Sequence, residues 1–292
     1  MAKVKLCFQM IVYNSDYVLA ESLESVLPFG PLVVTEGPCG YWKDQGHTTS
    51  TDATNAILDR YAADLVGVVH GQFAEKDAMV NASVHLVPED TTHLFVVDSD
   101  EVWRAEDLRK VVALLEETEA DSMSFIADSF FGGLDHILTG FERDYKVVRV
   151  QRFYPGARWA THRPPTIVDP LGRPYGSLNH VDAMVLYAMG VTMPHYSYVF
   201  PSQAAMKHTY YSHYAPGITI PDYPTAVFVP WVRGSAPERA TLEQRYRGVH
   251  NFVPDYRGDC YTEPFTGQHP RAIEERRDEI EARIQAELAV YA

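Results

Sequence analysis

Two aspartates with one residue between them, Asp98 and Asp100, close an apolar run that starts at Thr92, and Glu101 follows directly. A carboxylate that is withdrawn from water is destabilising unless a cation compensates its charge. Mg²⁺ and Mn²⁺ are hard cations that take oxygen ligands of this kind. The spacing therefore predicts a divalent metal site. The alternative is that Asp98 caps the following helix while Asp100 remains in water.

The elements that must position these carboxylates can be predicted from the periodicity of the apolar residues. Strand and helix patterns alternate four times in the first 118 residues. The strand patterns are 4–12, 31–35, 65–69 and 92–98, and the helix patterns are 18–27, 53–61, 75–86 and 105–117. This alternation predicts right-handed β-α-β units and a largely parallel sheet. Ligands bind at the carboxyl ends of the strands in such sheets, which is where the aspartates lie.

The alternation stops after residue 121. Segments 122–126 and 145–153 have strand patterns, and the latter is expected as an antiparallel addition to the sheet. Segment 156–270 is rich in Pro, Gly, Tyr and His with few periodic segments. Long irregular stretches are usually functional. Segment 270–289 predicts an amphipathic helix that packs on the body or forms a homodimer contact. We divide the chain into a β/α half, 1–120, and an irregular half, 121–292, of one single domain.

The composition argues against several classes of protein. A formal net charge of −14 disfavours general binding to nucleic acid or to anionic membranes, although a local basic pocket for a small phosphorylated ligand is compatible with it. Three cysteines without paired spacing indicate a reducing compartment and no structural zinc. The N-terminus has no signal-peptide core, and no apolar run approaches the roughly 20 residues of a membrane helix. We expect a cytoplasmic protein without a membrane span.

A parallel half that ends in an Asp-x-Asp strand, followed by an irregular half, resembles the GT-A glycosyltransferases, in particular family-2-type enzymes that use nucleotide-diphosphate sugars. Segments 10–18 and 25–28 are similar to the first strand and helix of that family, although the pair Asn14-Ser15 stands where an Asn-Glu pair is usual. Glu36 ends the second strand, where the family has an acidic residue for the nucleoside. The segment His195 to Val199, with Lys207 further on, resembles a His-Tyr-x-Tyr-Val motif. The resemblance covers about residues 4–210 and implies that 1–120 binds the nucleotide sugar.

On this resemblance, Mn²⁺ or Mg²⁺ held by Asp98 and Asp100 neutralises the diphosphate leaving group. The expected third metal ligand is His195; the alternative is that His195 packs in an aromatic cluster, and His162 competes for the role. The residues expected to contact the donor are Val12, Glu36, Lys76, Asp98, Ser99 and Lys207.

The acceptor side is expected in the second half of the chain. An inverting enzyme needs a base for the acceptor hydroxyl, and Asp182 is the candidate, with a helix cap as the alternative. Aromatic faces pack well on sugars, so a groove for the acceptor is predicted, with an aromatic core as the alternative. The residues expected on this side are Trp159, His162, Arg163 and Tyr198.

These features predict a metal-dependent glycosyltransferase that moves a sugar from a nucleotide-diphosphate donor to a hydroxyl of a glycan or small-molecule acceptor, with inversion. One alternative is a sugar-nucleotide nucleotidyltransferase. Such enzymes usually have a glycine-rich loop after the first strand, and 9–16 contains no glycine. Another alternative is a non-catalytic carbohydrate-binding protein with the same fold. The sequence does not identify the donor nucleotide, the sugar or the acceptor.

Overall fold

The computed structural model describes residues 3–174, 179–214, 219–246 and 260–291. The strands are β1 Leu6–Val12, β2 Leu32–Glu36, β3 Gly67–His70, β4 His93–Val96, β5 Ser122–Phe131, β6 His136–Leu138, β7 Lys146–Arg152, β8 Arg158–Thr161, β9 Thr166–Val168, β10 His180–Val181, β11 Met193–Tyr198 and β12 Thr262–Pro264.

The α-helices are α1 Leu19–Val26, α2 Tyr41–Asp44, α3 Thr54–Arg60, α4 Lys76–Ala82, α5 Ala105–Thr118, α6 Phe141–Asp144, α7 Ala183–Ala188, α8 Pro201–Tyr214, α9 Val229–Arg233, α10 Ala236–Tyr246, α11 Arg271–Glu275 and α12 Arg277–Ala289. Short 3₁₀ helices cover Leu27–Phe29 and Val84–Leu86, and a π-helical turn covers Pro224–Phe228. Within the described residues, no helix has both the length and the apolar character needed to cross a membrane.

The chain forms two compact units. The first consists of Met1–Ile126 and Lys146–Met193, and the second of Ala127–Tyr145 and Pro194–Ala292. The chain passes from one unit to the other within β5, between α6 and β7, and within β11. The predicted halves 1–120 and 121–292 stay a prediction.

The first unit contains a mainly parallel sheet. Its strands lie in the order β5-β7-β4-β1-β2-β3. β1 is parallel to β2 and to β4, and β2 is parallel to β3. β7 lies between β4 and β5 and is antiparallel to both. The predicted α/β class, a parallel sheet with helices between its strands and antiparallel additions, is confirmed.

The strand order reverses beside β1. The chain places β2 and β3 on one side of β1 and then returns to place β4 on the other side. In open α/β sheets, such a reversal leaves a crevice at the carboxyl ends of the two strands, and ligands bind there. β1 ends at Val12 and β4 at Val96, so Asp98 and Asp100 lie at this crevice.

Aromatic packing fixes β4 directly behind the aspartates. Phe95 stacks on Phe8 with ring centroids 5.2 Å apart and on Phe125 at 5.8 Å. Trp103 meets Phe95 edge-on at 4.9 Å. All four rings are buried, and such pairs contribute about 0.5–1.5 kcal/mol each beyond their buried area. The strand that presents the carboxylates is therefore firmly held.

The expectation that 156–270 has few regular elements is wrong for two long helices in the second unit, α8 and α10. Tyr, His and small residues occupy much of α8, so its sequence has no clear apolar stripe to reveal the helix. The helix predicted at 270–289 divides at Arg276, whose backbone leaves the helical conformation (φ −116°, ψ 14°). In the core of this unit, Phe130 stacks on Tyr196 at 4.5 Å.

Candidate active site

A buried arginine holds the first aspartate of the Asp-x-Asp motif. Arg149 lies on β7, the antiparallel neighbour of β4, and its side chain is 5% exposed. Its Nη2 donates a hydrogen bond of 2.5 Å to Oδ2 of Asp98 and another to Oε1 of Glu101. Arg149 therefore bridges two carboxylates of the acidic segment, and we call these three residues the buried triad.

The charges of the buried triad follow from opposing effects. Burial raises the pKa of Asp98, but the positive charges of Arg149 and Arg163 outweigh it and hold that pKa well below its usual range. For Glu101 burial dominates and raises the pKa well above the ordinary value. Burial lowers the pKa of Arg149, but the two carboxylates raise it by more. Asp98 is therefore ionised at neutral pH beside a permanent cation.

Two of the three residues predicted as metal ligands, Asp98 and Asp100, belong to the first unit, and each offers a carboxylate oxygen within 4.8 Å of the other. His195 belongs to the second unit, and its role as the third ligand stays a prediction. Carboxylate oxygens suit Mn²⁺ or Mg²⁺. Mg²⁺ bonds of about 2.1 Å place ligand atoms roughly 3–4 Å apart, so small side-chain shifts would close the site. The hydroxyl of Ser129 lies 3.5 Å from Nδ1 of His195, an outer contact of the kind that orients a ligating imidazole.

The β8–β9 hairpin docks along α4. The backbone N–H of Trp159 donates to Asn81 at 2.9 Å, and the amide of Asn81 donates back to the carbonyl of Trp159 at 2.9 Å. The backbone N–H of His162 donates to Asp77 at 2.5 Å. Asn81 and Asp77 lie on α4, whose first residue is Lys76. The turn that carries His162 therefore lies against the helix that carries Lys76.

His162 is buried, at 5% exposure, and neither ring nitrogen has a hydrogen-bond partner among the described residues. Burial lowers its pKa to about 4, and the charges of Asp98, Lys76 and Arg163 also act on it. The imidazole is therefore neutral at pH 7. Lys76 and Arg163 bring positive charge to the same neighbourhood.

An aromatic cluster at the ends of β1 and β2 was missed from the sequence. Tyr13 follows β1 directly, and its hydroxyl lies 2.7 Å from Nδ1 of His47. The Trp42 ring lies 6.1 Å from the Tyr13 ring and 5.5 Å from that of His47. All three side chains are half-buried. The signal was the run of aromatic residues in 41–47, just after the strand that ends in Glu36.

Glu36 is buried at the end of β2, with 1% exposure. Its Oε1 accepts a hydrogen bond of 2.7 Å from the backbone N–H of Ser50, and its Oε2 lies 3.0 Å from Nδ1 of His70 at the end of β3. The carboxylate thus ties a loop to two strand ends. Its predicted contact with the nucleoside stays a prediction.

Asp182 is the N-cap of α7, which is the alternative to a catalytic base that the sequence left open for this residue. It accepts a hydrogen bond of 2.9 Å from the backbone N–H of Met184, and both its oxygens accept 2.8 Å bonds from Lys146. The hydrogen bond from Lys146 lowers its pKa. A lower pKa makes a weaker base. Its role as the catalytic base stays a prediction.

The other predicted residues lie in several environments. Trp159 and Tyr198 are buried at 3% and 4% exposure, which favours the aromatic-core alternative for both. The Trp159 indole donates to Gln9 at 2.7 Å, and Lys207 on α8 lies 4.9 Å above the Tyr198 ring. Val12 is a buried strand end, whereas Ser99 is half-buried and Arg163 is exposed. None of these placements tests the predicted contacts with donor or acceptor.

Comparisons with known proteins give only a partial match. No protein-family model and no curated protein matches the sequence. A crystal structure of S. aureus TarS 1-349 is 20% identical, with a TM-score of 0.33 over 43% of this chain and 36% of that one. The same fragment in complex with UDP-GlcNAc gives 20% identity and a TM-score of 0.34 over 44% of this chain and 35% of that one. The matched part is thus little more than a third of those chains.

Proposed function

We propose that the protein is a metal-dependent glycosyltransferase that moves a sugar from a nucleotide-diphosphate donor to a hydroxyl of a glycan or small molecule. The observation that carries the proposal is the pair of carboxylates offered by Asp98 and Asp100, at the crevice where the strand order reverses. Ligand binding is expected at that edge of an α/β sheet. Both the oxygen-rich ligand set and the nearby cations suit a diphosphate.

The residues around the aspartates have distinct parts in this proposal. A bound Mn²⁺ or Mg²⁺ would stabilise the charge that develops on the leaving diphosphate. Arg149 keeps Asp98 ionised and fixed in direction, so that its second oxygen is oriented before a metal arrives. Lys76 and Arg163 would bind diphosphate oxygens, the first as a point charge and the second through a bidentate fork.

The half-buried rings of Tyr13, Trp42 and His47 would receive the nucleobase. They lie at the carboxyl ends of β1 and β2, beside the edge that holds Asp98. Stacking of a base on an aromatic side chain contributes about 1–3 kcal/mol. Glu36 supports the same edge by fixing the loop at Ser50.

Inversion with Asp182 as the base is the finer part of the proposal. The carboxylate is 46% exposed and therefore open to an acceptor. It would have to exchange the ammonium of Lys146 for the acceptor hydroxyl before it could take a proton. The net charge of −14 makes a glycan or a small molecule a better acceptor than nucleic acid.

Calorimetric titration with UDP, GDP, CDP and dTDP, each with and without Mn²⁺, tests the proposal. We expect one diphosphate to bind only with Mn²⁺, and the Asp100→Asn variant to bind it at least about tenfold more weakly, because a metal ligand is lost. Asp90→Asn is the matched control, since Asp90 is an exposed carboxylate paired with Lys5. The proposal fails if the wild-type protein binds none of the four under either condition.

A further inference from the structure

The imidazole of His162 is buried without a partner for either nitrogen among the described residues. Leaving a buried donor or acceptor unpaired destabilises a protein by about 1–3 kcal/mol, and native structures keep few such groups. Two unpaired nitrogens in one ring are therefore unusual for a purely structural residue. They indicate a partner outside the described residues, and the position of the ring beside charged groups suits a bound ligand.

The ring is held in position by contacts that do not involve its own nitrogens. Asp77 accepts the backbone N–H of His162, and Asn81 pairs with the backbone of Trp159 on one side of the turn. On the other side, the amide of Gln151 donates a 2.8 Å hydrogen bond to the carbonyl of Pro165. A ring that is fixed by its surroundings while its polar atoms stay free is preorganised for a ligand.

The chemistry of the ring selects the kind of ligand. Burial keeps the imidazole neutral, so one nitrogen donates a hydrogen bond and the other accepts one. Ionised phosphate oxygens only accept, whereas sugar hydroxyls do both. The positive charges of Lys76 and Arg163 already suit the phosphates. The donor-and-acceptor pair of His162 therefore matches sugar hydroxyls better than it matches the diphosphate.

We infer that His162 recognises hydroxyl groups of the sugar that the donor carries, an assignment that rests on the proposed function. Its turn packs against α4, where Lys76 was predicted on the donor side, and the charge of Asp98 acts on its ring. The sequence predicted His162 on the acceptor side instead. Because the ring binds the sugar and not the phosphates, His162 distinguishes a sugar nucleotide from the bare diphosphate.

Calorimetry on His162→Phe and His162→Gln tests the assignment. With Mn²⁺ present, each variant is titrated with UDP, GDP, CDP and dTDP and with their glucose conjugates, and with UDP-GlcNAc. We expect His162→Phe to bind the sugar nucleotide about tenfold more weakly, equivalent to about 1.4 kcal/mol, and to bind the diphosphate with unchanged affinity. His162→Gln keeps a donor and an acceptor and should recover part of the loss.

His85→Phe is the matched control, because His85 is exposed, and it should change neither affinity. The melting temperature of His162→Phe should not fall, since the lost nitrogens bind nothing among the described residues. Equal weakening of diphosphate and sugar nucleotide, or no weakening of either, would overturn the assignment while leaving the proposed function intact. If the wild-type protein binds no diphosphate at all, the proposed function fails and the assignment of His162 fails with it.

Discussion

Removal of the bridging cation in Arg149→Met should destabilise the protein strongly. Arg149 and Glu101 are 5% and 0% exposed and Asp98 is 19% exposed, so water cannot replace the lost guanidinium. Breaking a buried ion pair by deleting one partner lowers the free energy of unfolding by about 3–5 kcal/mol. That is a large part of the roughly 5–15 kcal/mol that keeps a typical domain folded.

Equilibrium unfolding in urea measures this loss without adding salt. Lys146→Met is the matched control on the same strand, because its pair with Asp182 is 40% and 46% exposed and should contribute at most about 1 kcal/mol. The loss in free energy of unfolding of the double variant Arg149→Met/Asp98→Asn should be smaller than the summed losses of the two single variants, by at least about 1 kcal/mol. Equal losses for Arg149→Met and Lys146→Met, or simple additivity in the double variant, would refute the buried triad as described.

Burial lowers the pKa of His269 from 6.5 to about 4. The contribution of this residue to the free energy of unfolding should therefore be fully present above pH 6.5 and be lost toward pH 4, by up to about 3 kcal/mol. Urea unfolding at pH 7 and pH 4.5 should show a smaller fall in His269→Phe; an unchanged fall contradicts this. Gly37→Ala should lower the melting temperature far more than Gly46→Ala. A Cβ at Gly37 (φ +143°) would lie 1.8 Å from the carbonyl oxygen of Gly71, whereas a Cβ at Gly46 (φ +84°) would have nothing within 4 Å. Similar melting temperatures for the two variants would show that the backbone at Gly37 relaxes. Trp42→Ala should weaken binding of the nucleoside diphosphate about tenfold by calorimetry, and an unchanged affinity would exclude stacking on this ring.

The parallel sheet could be predicted because its signals are local. Each strand pattern in the first 118 residues is followed by a helix pattern, and a β-α-β connection leaves little choice of topology. The position of Asp98 and Asp100 at the carboxyl end of β4 follows from the same periodicity. These inferences need no knowledge of distant contacts.

The features that the sequence did not reveal depend on contacts between distant segments. Arg149 meets Asp98 only because β7 inserts between β4 and β5, and strand order across an irregular segment is not visible in local patterns. The unpaired ring of His162 depends on how the hairpin docks on α4. Burial of Trp159 and Tyr198 likewise could not be distinguished from a sugar-binding groove by composition alone.

Release of free diphosphate from a sugar nucleotide tests the proposed chemistry most directly. UDP-, GDP-, CDP- and dTDP-glucose and UDP-GlcNAc would be incubated with the wild-type protein and with Asp100→Asn, in Mn²⁺ or in EDTA. We predict slow hydrolysis of one donor by the wild-type protein, lost in EDTA and lost in Asp100→Asn. Release that is unchanged by EDTA and by Asp100→Asn would contradict a metal-dependent transferase built on Asp98 and Asp100.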